Sequence, residues 1–422
     1  SQVIAESLGI SLTHSALSPS GSPAWKDIAR RSAKALVMSE KTGLKSKNII
    51  TDKSLENAMV VHAACGGSTN LLLHLPAIAH AANLKRMTVS DWKIINKNTP
   101  RLVDVLPNGP VGYPTSVLYA AGAVPEVMLQ LREIGLLNTS VLTTTGLTLD
   151  ENLDWWEASR RRFEVQNYLK NSIQVDPKDV IMTPNKAKSR GLTSTVTFPT
   201  GNLAPEGSVI KSTAIDPSII GPDGIYRKVG PARVFRSEKE AIKAIKKQSN
   251  TQEIKANDIL VLICAGPLGT GMEEVYQITS ALKHLSYGKH VALITDARFS
   301  GVSTGACVGH VGPEALAGGP IGKIKEGDLI EIIIDKSNLE GSINLVGENS
   351  VKHGLTWGDA QLKSRHIPND LKPHPFLPDD SRLWAALQNV SGGTWGGCVF
   401  DVDAIVATLD AGKKSLENNS KN

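Results

Sequence analysis

The first half of the chain alternates polar loops with segments in which apolar residues recur at helical spacing. These segments are residues 53–64, 68–83 and 116–135, the last one around Pro125, and their spacing predicts amphipathic helices. Residues 165–200 are polar and rich in turn-forming residues, which is typical of a linker between domains. We therefore expect an α/β layer first and a domain boundary near residue 195.

The second half changes to short β-branched runs bounded by Gly, Pro and Asp, at 207–215, 258–266, 290–297 and 328–335. With helical patterns at 238–247 and 273–285, these runs predict a compact β-rich domain, either a barrel or a small α/β sheet. The polar end is expected to be disordered. The expected division is 1–194, a partial α/β domain with its linker; 195–412, a β-rich domain; and 413–422, a disordered tail.

The composition is that of a packed globular protein, with 41% hydrophobic and 21% charged residues among 422. No run approaches the roughly eighteen apolar residues of a membrane span, and the first residues lack a signal peptide pattern. We therefore expect a soluble protein that has no membrane partner. The net charge of +5 is small, and the arginines at 160–162 are interpreted as a solvated helical face, so nucleic acid is not an expected partner.

The four cysteines are scattered, without a CxxC pair or a histidine-rich neighbourhood; they are Cys65, Cys264, Cys307 and Cys398. This pattern favours neither a disulfide framework nor a zinc site and fits a reducing, cytoplasmic location. The chain also opens inside a helix-like run with no initiator Met and no capping residue. That opening indicates a fragment.

The segment 291–305, VALITDARFSGVSTG, combines a strand pattern with a polar turn. Ser300 and Gly301 follow the expected strand end, where sheets commonly place reactive groups. Ser300 is therefore a candidate exposed hydroxyl. The alternative is that Ser300 and Ser303 only form the turn or cap a helix.

The segment 265–277, AGPLGTGMEEVYQ, has three glycines and then two acids at the start of a helical pattern. Its glycines would let the backbone approach a ligand, and Glu273 or Glu274 could hold a divalent cation. The alternative is a glycine-rich turn whose acids complement a helix amino terminus. A P-loop is excluded, because no Lys-Ser or Lys-Thr follows the last glycine.

The segment 65–70, CGGSTN, precedes an apolar helical run. Free amides at a helix start would suit a substrate carboxylate, and the hydroxyls of Ser68 and Thr69 could orient a further oxygen. An ordinary Ser/Thr cap after two glycines explains the same pattern.

Taken together, these segments resemble the dihydroxyacid and phosphogluconate dehydratase family. The matching stretches include GGSTNLLLHLPAIAHAA, GNLAPEGSVIK, GPLGTGMEE, ITDARFSGVSTG and GHVGPEALAGGPIGKIKEGDLIEI. Two further stretches, 106–137 and 379–403, are similar to the branch that dehydrates pentonic acids such as D-xylonate. The resemblance covers most of the chain.

The resemblance implies a hydro-lyase that converts a sugar acid into a 2-keto-3-deoxy acid, using Mg²⁺ and a [2Fe-2S] or [4Fe-4S] cluster. By position in the family's motifs, Ser300 would be the base, acting as an alkoxide, and Glu274 a magnesium ligand. Ser68, Thr69, Gly301 and Ser303 would contact the substrate. The implied fold is the remainder of an α/β domain followed by a β-barrel-like swivelling domain of the aconitase type, in a homodimer or homotetramer.

The sequence departs from the family pattern in three respects. Ala297 stands where the motif usually has Gly, and GPLGTGMEE is one residue short, which leaves Glu273 as an alternative to Glu274. The family's cluster cysteines and remaining magnesium ligands correspond to a region before residue 1. We therefore expect a carboxy-terminal fragment that binds no cluster and is inactive alone.

Three other functions compete with this interpretation. One is a dihydroxyacid dehydratase of branched-chain amino-acid synthesis, and another is an inactive fragment that only binds a sugar acid. The third is a serine hydrolase, because residues 301–305 match GxSxG and His353, His366 or His374 could complete a triad. The distance between the expected strand end and Ser303 argues against the third.

Overall fold

The computed structural model describes residues 2–247 and 253–419. Contacts between Cα atoms divide the chain into two compact units. Unit 1 comprises the residues up to Leu71 together with Ile78–Thr195, and unit 2 comprises Leu72–Ala77 and the residues from Val196 onward. In the part of the chain that the structure describes, no helix has the length and apolarity needed to cross a membrane.

Helices are the regular elements of unit 1. They are α1 (Gln2–Ser7), α2 (Pro23–Thr42), α3 (Ser46–Ile49), α4 (Asp52–Cys65), α5 (Leu71–Ala81), α6 (Val89–Asn98), α7 (Thr115–Ala120), α8 (Ala123–Glu133), α9 (Leu149–Ala158), α10 (Arg160–Tyr168), α11 (Pro177–Val180) and α12 (Pro184–Ser189). A π-helical turn, Leu169–Ile173, follows α10. Residues 72–77 of α5 belong to unit 2.

Local sequence explains the bounds of α4. The Thr51 hydroxyl accepts the Ser54 N–H at 3.2 Å, and the Ser54 hydroxyl accepts the Thr51 N–H at 2.8 Å, a reciprocal cap that starts the helix. Gly66, with φ of 66°, ends it. The helix predicted at 53–64 is therefore confirmed, to within a residue at each end.

The single helix predicted over 116–135 is two helices. Gly122 has φ of 117° and separates α7 from α8, because glycine adopts this backbone conformation without a Cβ penalty. Pro125 then lies in the first turn of α8, where its missing N–H leaves no hydrogen bond unmade. The apolar spacing was correct on both sides of the break.

Buried side chains from α4, α8 and α9, among them Val61, Val127 and Trp156, form the core of unit 1. Among the described residues of this unit, β-pairing is limited to two isolated bridges, Val103 with Ile181 and Leu142 with Thr148. The chain as a whole is mixed α/β, as expected. The α/β layer expected within 1–194 is not present there, because the extended segment at Val103 meets one partner segment and no further strand.

Unit 2 contains the sheet. Its strands are β1 (Gly207–Ile210), β2 (Ile225–Phe235), β3 (Ile259–Leu262), β4 (Glu274–Val275), β5 (Ala292–Thr295), β6 (Arg298–Phe299), β7 (Ala306–Gly312), β8 (Leu329–Asp335), β9 (Glu340–Glu348) and β10 (Val351–Lys352). Eight strands follow the order β1-β7-β5-β3-β2-β8-β9-β10, and β4 pairs with β6 separately. The four strands from β7 to β2 are mutually parallel, and the flanking pairs are antiparallel.

The eight-stranded sheet curls around an apolar core. Alternate residues of β8, including Ile330 and Ile332, are fully buried in it, as expected when one face of a strand lines an interior. The segment 197–201 contacts strands near the two ends of the curled sheet, β1 and β9. Thr197 exchanges hydrogen bonds with Ile210 of β1, and the Thr200 carbonyl accepts the N–H of Ile343 in β9 at 2.9 Å. These contacts favour the barrel over the open sheet.

The helices of unit 2 are α13 (Glu238–Ile245), α14 (Pro267–Thr270), α15 (Gln277–Lys283), α16 (Leu355–Ser364), α17 (Asp379–Val390) and α18 (Val402–Asn419). The structure differs from the expected disordered tail, because residues 413–419 continue α18. Residues 420–422 of that expected tail lie outside the described residues.

Candidate functional site

Ser300 lies in a tight turn between the two-stranded sheet and β7. Its N–H donates to the Val275 carbonyl at 3.0 Å, which extends the pairing of β6 with β4, and its carbonyl accepts the Ser303 N–H at 3.0 Å. The Ser300 residue is partly exposed, whereas Phe299 before it is fully buried. The structure therefore places the Ser300 hydroxyl at an accessible, backbone-fixed position past the end of β5.

Glu274 reaches this turn through strand pairing. It stands opposite Arg298 in the parallel register of β4 and β6, two residues before Ser300. Glu274 is partly buried, whereas Glu273 is exposed and its N–H donates to the Thr270 hydroxyl. Of the two acids left open by the sequence, Glu274 is the one placed beside the Ser300 turn, with an oxygen-donor chemistry that suits Mg²⁺.

Lys211 is a site residue that the sequence interpretation did not single out. It follows β1, is 3% exposed, and its ammonium donates a short hydrogen bond to the Gly301 carbonyl. Burial lowers the pKa of Lys211 to about 8, while the neighbouring Cys307 and Glu274 act to raise it. The one available signal was a lysine directly after the apolar run GSVI, inside a stretch shared with the family.

Ser303 faces the protein interior. It is 4% exposed, and its hydroxyl accepts a hydrogen bond from the Thr279 hydroxyl of α15 at 3.3 Å. A nucleophile elbow would place this serine between a strand and a helix, but the residues that follow it lead into β7. The serine hydrolase interpretation therefore lacks its structural context, and the substrate contact of Ser303 stays a prediction.

The glycines of the segment 266–271 are explained by close protein packing. A Cβ on Gly266 would lie 2.3 Å from a Glu314 carboxylate oxygen, and one on Gly269 would lie 2.0 Å from the Cys264 carbonyl oxygen. The Glu314 carboxylate also accepts the Leu268 N–H at 2.9 Å. These two glycines thus fold the loop onto its own unit, as in the alternative of a glycine-rich turn, and the approach of a ligand to this loop stays a prediction.

Asp296 holds the same loop from the end of β5. Its buried carboxylate accepts the N–H groups of Cys264, Ala265 and Ala315 at 3.2, 3.0 and 3.0 Å. Burial raises the pKa of Asp296, and these hydrogen bonds oppose that rise because they favour the charged form. Asp296 therefore ties the glycine-rich loop to the strand that leads to Ser300.

Ser68 and Thr69 lie in unit 1, in the loop between α4 and α5. Ser68 borders a cavity of about 170 Å³ that is also lined by His62, Cys65 and Gly67. The Ser68 hydroxyl accepts the Asn70 N–H at 3.3 Å. Thr69 is fully buried, and its hydroxyl has no hydrogen-bond partner among the described residues. Both substrate contacts stay predictions, and for Thr69 the burial of the hydroxyl weighs against direct contact.

The metal-binding capacity of the described residues is limited. They contain no group of three or more His, Cys, Asp or Glu side chains that could hold a metal ion, so Glu274 fits Mg²⁺ as a single ligand. The cysteines are all free, and burial raises the pKa of each thiol to about 12. A cluster binds thiolates, so these residues do not fit an iron–sulfur cluster.

The structure thus defines a two-unit α/β protein in which a curled sheet presents a serine turn beside a carboxylate and a buried lysine. Residues 1–152 match the family model for the dihydroxy-acid/6-phosphogluconate dehydratase N-terminal domain, and residues 179–368 match its C-terminal counterpart. The chain belongs to this dehydratase family. The expectation of a carboxy-terminal fragment is not confirmed, because the first 152 residues match the amino-terminal model.

Three curated relatives show which dehydratases this chain is similar to. D-xylonate dehydratase YagF of Escherichia coli (strain K12) is 58% identical over 416 residues, which are 99% of this chain and 63% of that protein. D-xylonate dehydratase YjhG of the same strain is 61% identical over 411 residues, covering 97% and 62%. The dihydroxy-acid dehydratase of Dinoroseobacter shibae is 36% identical over 397 residues, covering 91% and 63%. The chain spans a little under two thirds of the length of these relatives.

Proposed function

We propose that this chain belongs to a hydro-lyase that removes water from a sugar acid, a pentonate such as D-xylonate, and yields a 2-keto-3-deoxy acid. The observation that carries the proposal is the partly exposed Ser300 hydroxyl, fixed by its backbone beside Glu274. Identity of 58% and 61% with two proteins named D-xylonate dehydratase, against 36% with a dihydroxy-acid dehydratase, favours the pentonate over the branched dihydroxy acid.

In the proposed reaction, the Ser300 oxygen, ionised by loss of its proton to water, accepts the proton from C2 of the substrate. The C2–H electron pair forms the C2–C3 double bond, and the C3 hydroxyl leaves. The proton that Ser300 gave to the solvent converts the departing hydroxide into water. The resulting enol tautomerises to the 2-keto acid. A serine hydroxyl is a weak acid, so this step needs positive charge close to the oxygen.

Mg²⁺ and an iron–sulfur cluster are part of the proposal because the family is generally dependent on both. Glu274 would be one oxygen ligand of Mg²⁺, which would supply positive charge near the substrate carboxylate. The cysteines of this chain do not fit a cluster, so we assign no step to one. Iron and labile-sulfide analysis of the purified chain tests this assignment, since stoichiometric cluster would contradict it.

The substrate assignment is tested with the enzyme in its full natural length and a panel of aldonic acids. We expect D-xylonate or a similar pentonate to give the highest rate of 2-keto acid formation. Preference for a branched dihydroxy acid would overturn the pentonate assignment and favour the alternative of branched-chain amino-acid synthesis. Binding of sugar acids without turnover by the complete enzyme would favour the inactive, binding-only alternative.

The role of Ser300 is tested by Ser300→Ala. We expect loss of turnover with magnesium content and thermal unfolding unchanged, because the hydroxyl accepts a long hydrogen bond of 3.4 Å from the Val302 N–H and the turn is held by backbone bonds. Ser337→Ala removes an exposed hydroxyl in another turn of the same unit and should leave turnover unchanged. Substantial activity of Ser300→Ala would refute the role of Ser300 as base.

We also propose that the enzyme is cytoplasmic and assembles as a homodimer or homotetramer. The four cysteines are not paired in disulfides, which is typical of proteins from a reducing compartment and supports the proposed location. Light scattering of the natural enzyme measures the assembly, and a monomer at micromolar concentration would contradict it.

A further inference from the structure

Lys211 and Ala214 tether the Ser300 turn at both of its ends. The Lys211 ammonium donates to the Gly301 carbonyl, and the Gly305 N–H donates to the Ala214 carbonyl at 3.0 Å. The segment after β1 therefore holds the turn from residue 301 to residue 305. A Cβ built on Gly301 would lie 3.6 Å from the Lys211 nitrogen, an ordinary contact distance, so the lysine lies directly against this glycine.

The charge on Lys211 needs an explanation. A buried ammonium loses its hydration and is normally compensated by a carboxylate. Among the described residues, no ion pair joins Lys211 to an acid, and its hydrogen bond goes to a neutral carbonyl. A neutral donor could hold that carbonyl equally well. The positive charge thus lies at the carbonyl of the residue that follows Ser300, and Glu274 is a nearby acid that acts to raise the pKa of Lys211.

We propose that Lys211 is a positioning residue whose ammonium fixes the Gly301–Val302 peptide, directly after Ser300, and stabilises negative charge on the Ser300 oxygen. This inference rests on the proposed function, in which that oxygen is the base. Ser300 gives its proton to water as it ionises, and the alkoxide is neutralised again when it accepts the C2 proton of the substrate. Lys211 keeps its own proton throughout and touches no reacting atom.

The unit contains a matched control. Lys228 in β2 is 8% exposed, donates from its ammonium to the His290 carbonyl at 2.6 Å, and has its pKa lowered to about 8 by burial. It is thus a second buried lysine bonded to a backbone oxygen. Lys228→Met removes the same kind of interaction as Lys211→Met, but away from the Ser300 turn.

The direct test replaces the oxygen with a group whose ionisation can be measured. In Ser300→Cys, the pKa of the new thiol is obtained from the pH dependence of its alkylation by iodoacetamide, with the Ser300 protein as the blank for the native cysteines. Adding Lys211→Met should raise that thiol pKa by about one unit, because a nearby opposite charge favours the thiolate. Adding Lys228→Met should leave it unchanged, and Lys211→Arg should retain most of the stabilisation.

The second test measures turnover of the natural full-length enzyme. Lys211→Met should lower kcat about tenfold, with little change in KM, since one pKa unit reduces the alkoxide fraction tenfold. Lys228→Met should leave both constants unchanged. Circular dichroism confirms that each variant is folded, and if Lys211→Met unfolds, Lys211→Gln replaces it with a neutral donor.

The outcomes separate the two proposals. An unshifted thiol pKa in a folded Lys211→Met protein would overturn the role of Lys211, even if the enzyme dehydrates sugar acids. A shifted thiol pKa in an enzyme that dehydrates none of the panel would leave the electrostatic role intact and refute the proposed function. An equal shift with Lys228→Met would also overturn the inference, because the effect would then be general to buried lysines.

Discussion

His310 is a buried histidine whose protonation should control the acid stability of unit 2. It lies in β7, fully buried, with its ring 6.1 Å from the rings of both Phe299 and Trp395. Neither ring nitrogen has a hydrogen-bond partner among the described residues. Burial, and secondarily the charge of Arg298, lowers the pKa of His310 to about 3.

The sign of the effect follows from proton uptake. The unfolded chain binds a proton on this histidine near its ordinary pKa of about 6.5, whereas the folded protein does so only near 3. The free energy of unfolding is therefore unaffected by His310 above about pH 6.5 and falls as the pH decreases toward 3. By pH 5, protonation of His310 in the unfolded chain has lowered the free energy of unfolding by about 2 kcal/mol.

Two replacements isolate this quantity. His310→Phe and His310→Asn both remove the titration but differ in packing, so their free energies of unfolding at about pH 7.5 should differ from each other. Between about pH 7.5 and pH 5, the free energy of unfolding of each variant should fall by about 2 kcal/mol less than that of the wild type. This difference should be the same for both variants. Urea unfolding measures it, and His14, whose pKa burial also lowers to about 3, is common to all three proteins.

The unfolding measurement has a control at a second histidine of unit 2. His284→Gln changes an exposed histidine of the same unit and should follow the wild type at both pH values. If both His310 variants lose stability toward pH 5 as steeply as the wild type, then His310 is protonated in the folded protein. The burial argument would then be wrong.

Two further predictions concern the supports of the site. Asp296→Asn should lower the free energy of unfolding by about 2–4 kcal/mol, because an amide cannot accept all three N–H bonds in place of the buried carboxylate. Asp335→Asn, at an exposed turn, is the control and should change the free energy of unfolding by less than about 1 kcal/mol. Thermal unfolding measures both. Thr69→Val should leave stability within about 0.5 kcal/mol or raise it, because the buried hydroxyl has no partner among the described residues, and a large rise in KM would instead support the predicted substrate contact.

The strands of unit 2 show what apolar patterning predicts. Each of the four predicted β-branched runs contains a strand, namely β1, β3, β5 and β8. The sequence interpretation missed three longer strands, β2, β7 and β9. Each contains two glycines or a glycine and a proline, and both residue types weaken a strand signal. Pairing on both sides, with β3 and β8, stabilises β2 in spite of its sequence.

The candidate site was predictable in part. Resemblance to the family's motifs indicated Ser300 and Glu274, and the structure places both at the pairing of β4 with β6. Lys211 was not predictable, because it meets the Gly301 carbonyl across 90 residues of sequence, and no local spacing rule connects them. The same holds for Glu314, whose closeness to Gly266 explains a glycine for which the sequence left both ligand approach and a tight turn open.

The position of the Ser300 turn in the sheet supports the role that we propose for Ser300. The turn leads directly into β7, and β7 pairs antiparallel with β1 at the sheet edge. The segment that follows β1 returns to bind the turn through Lys211 and Ala214. One strand pair thus fixes the backbone on both sides of the turn, while the Ser300 side chain stays partly exposed. Because the backbone is fixed before substrate arrives, Ser300 would need no reorganisation at the moment of the proposed proton transfer.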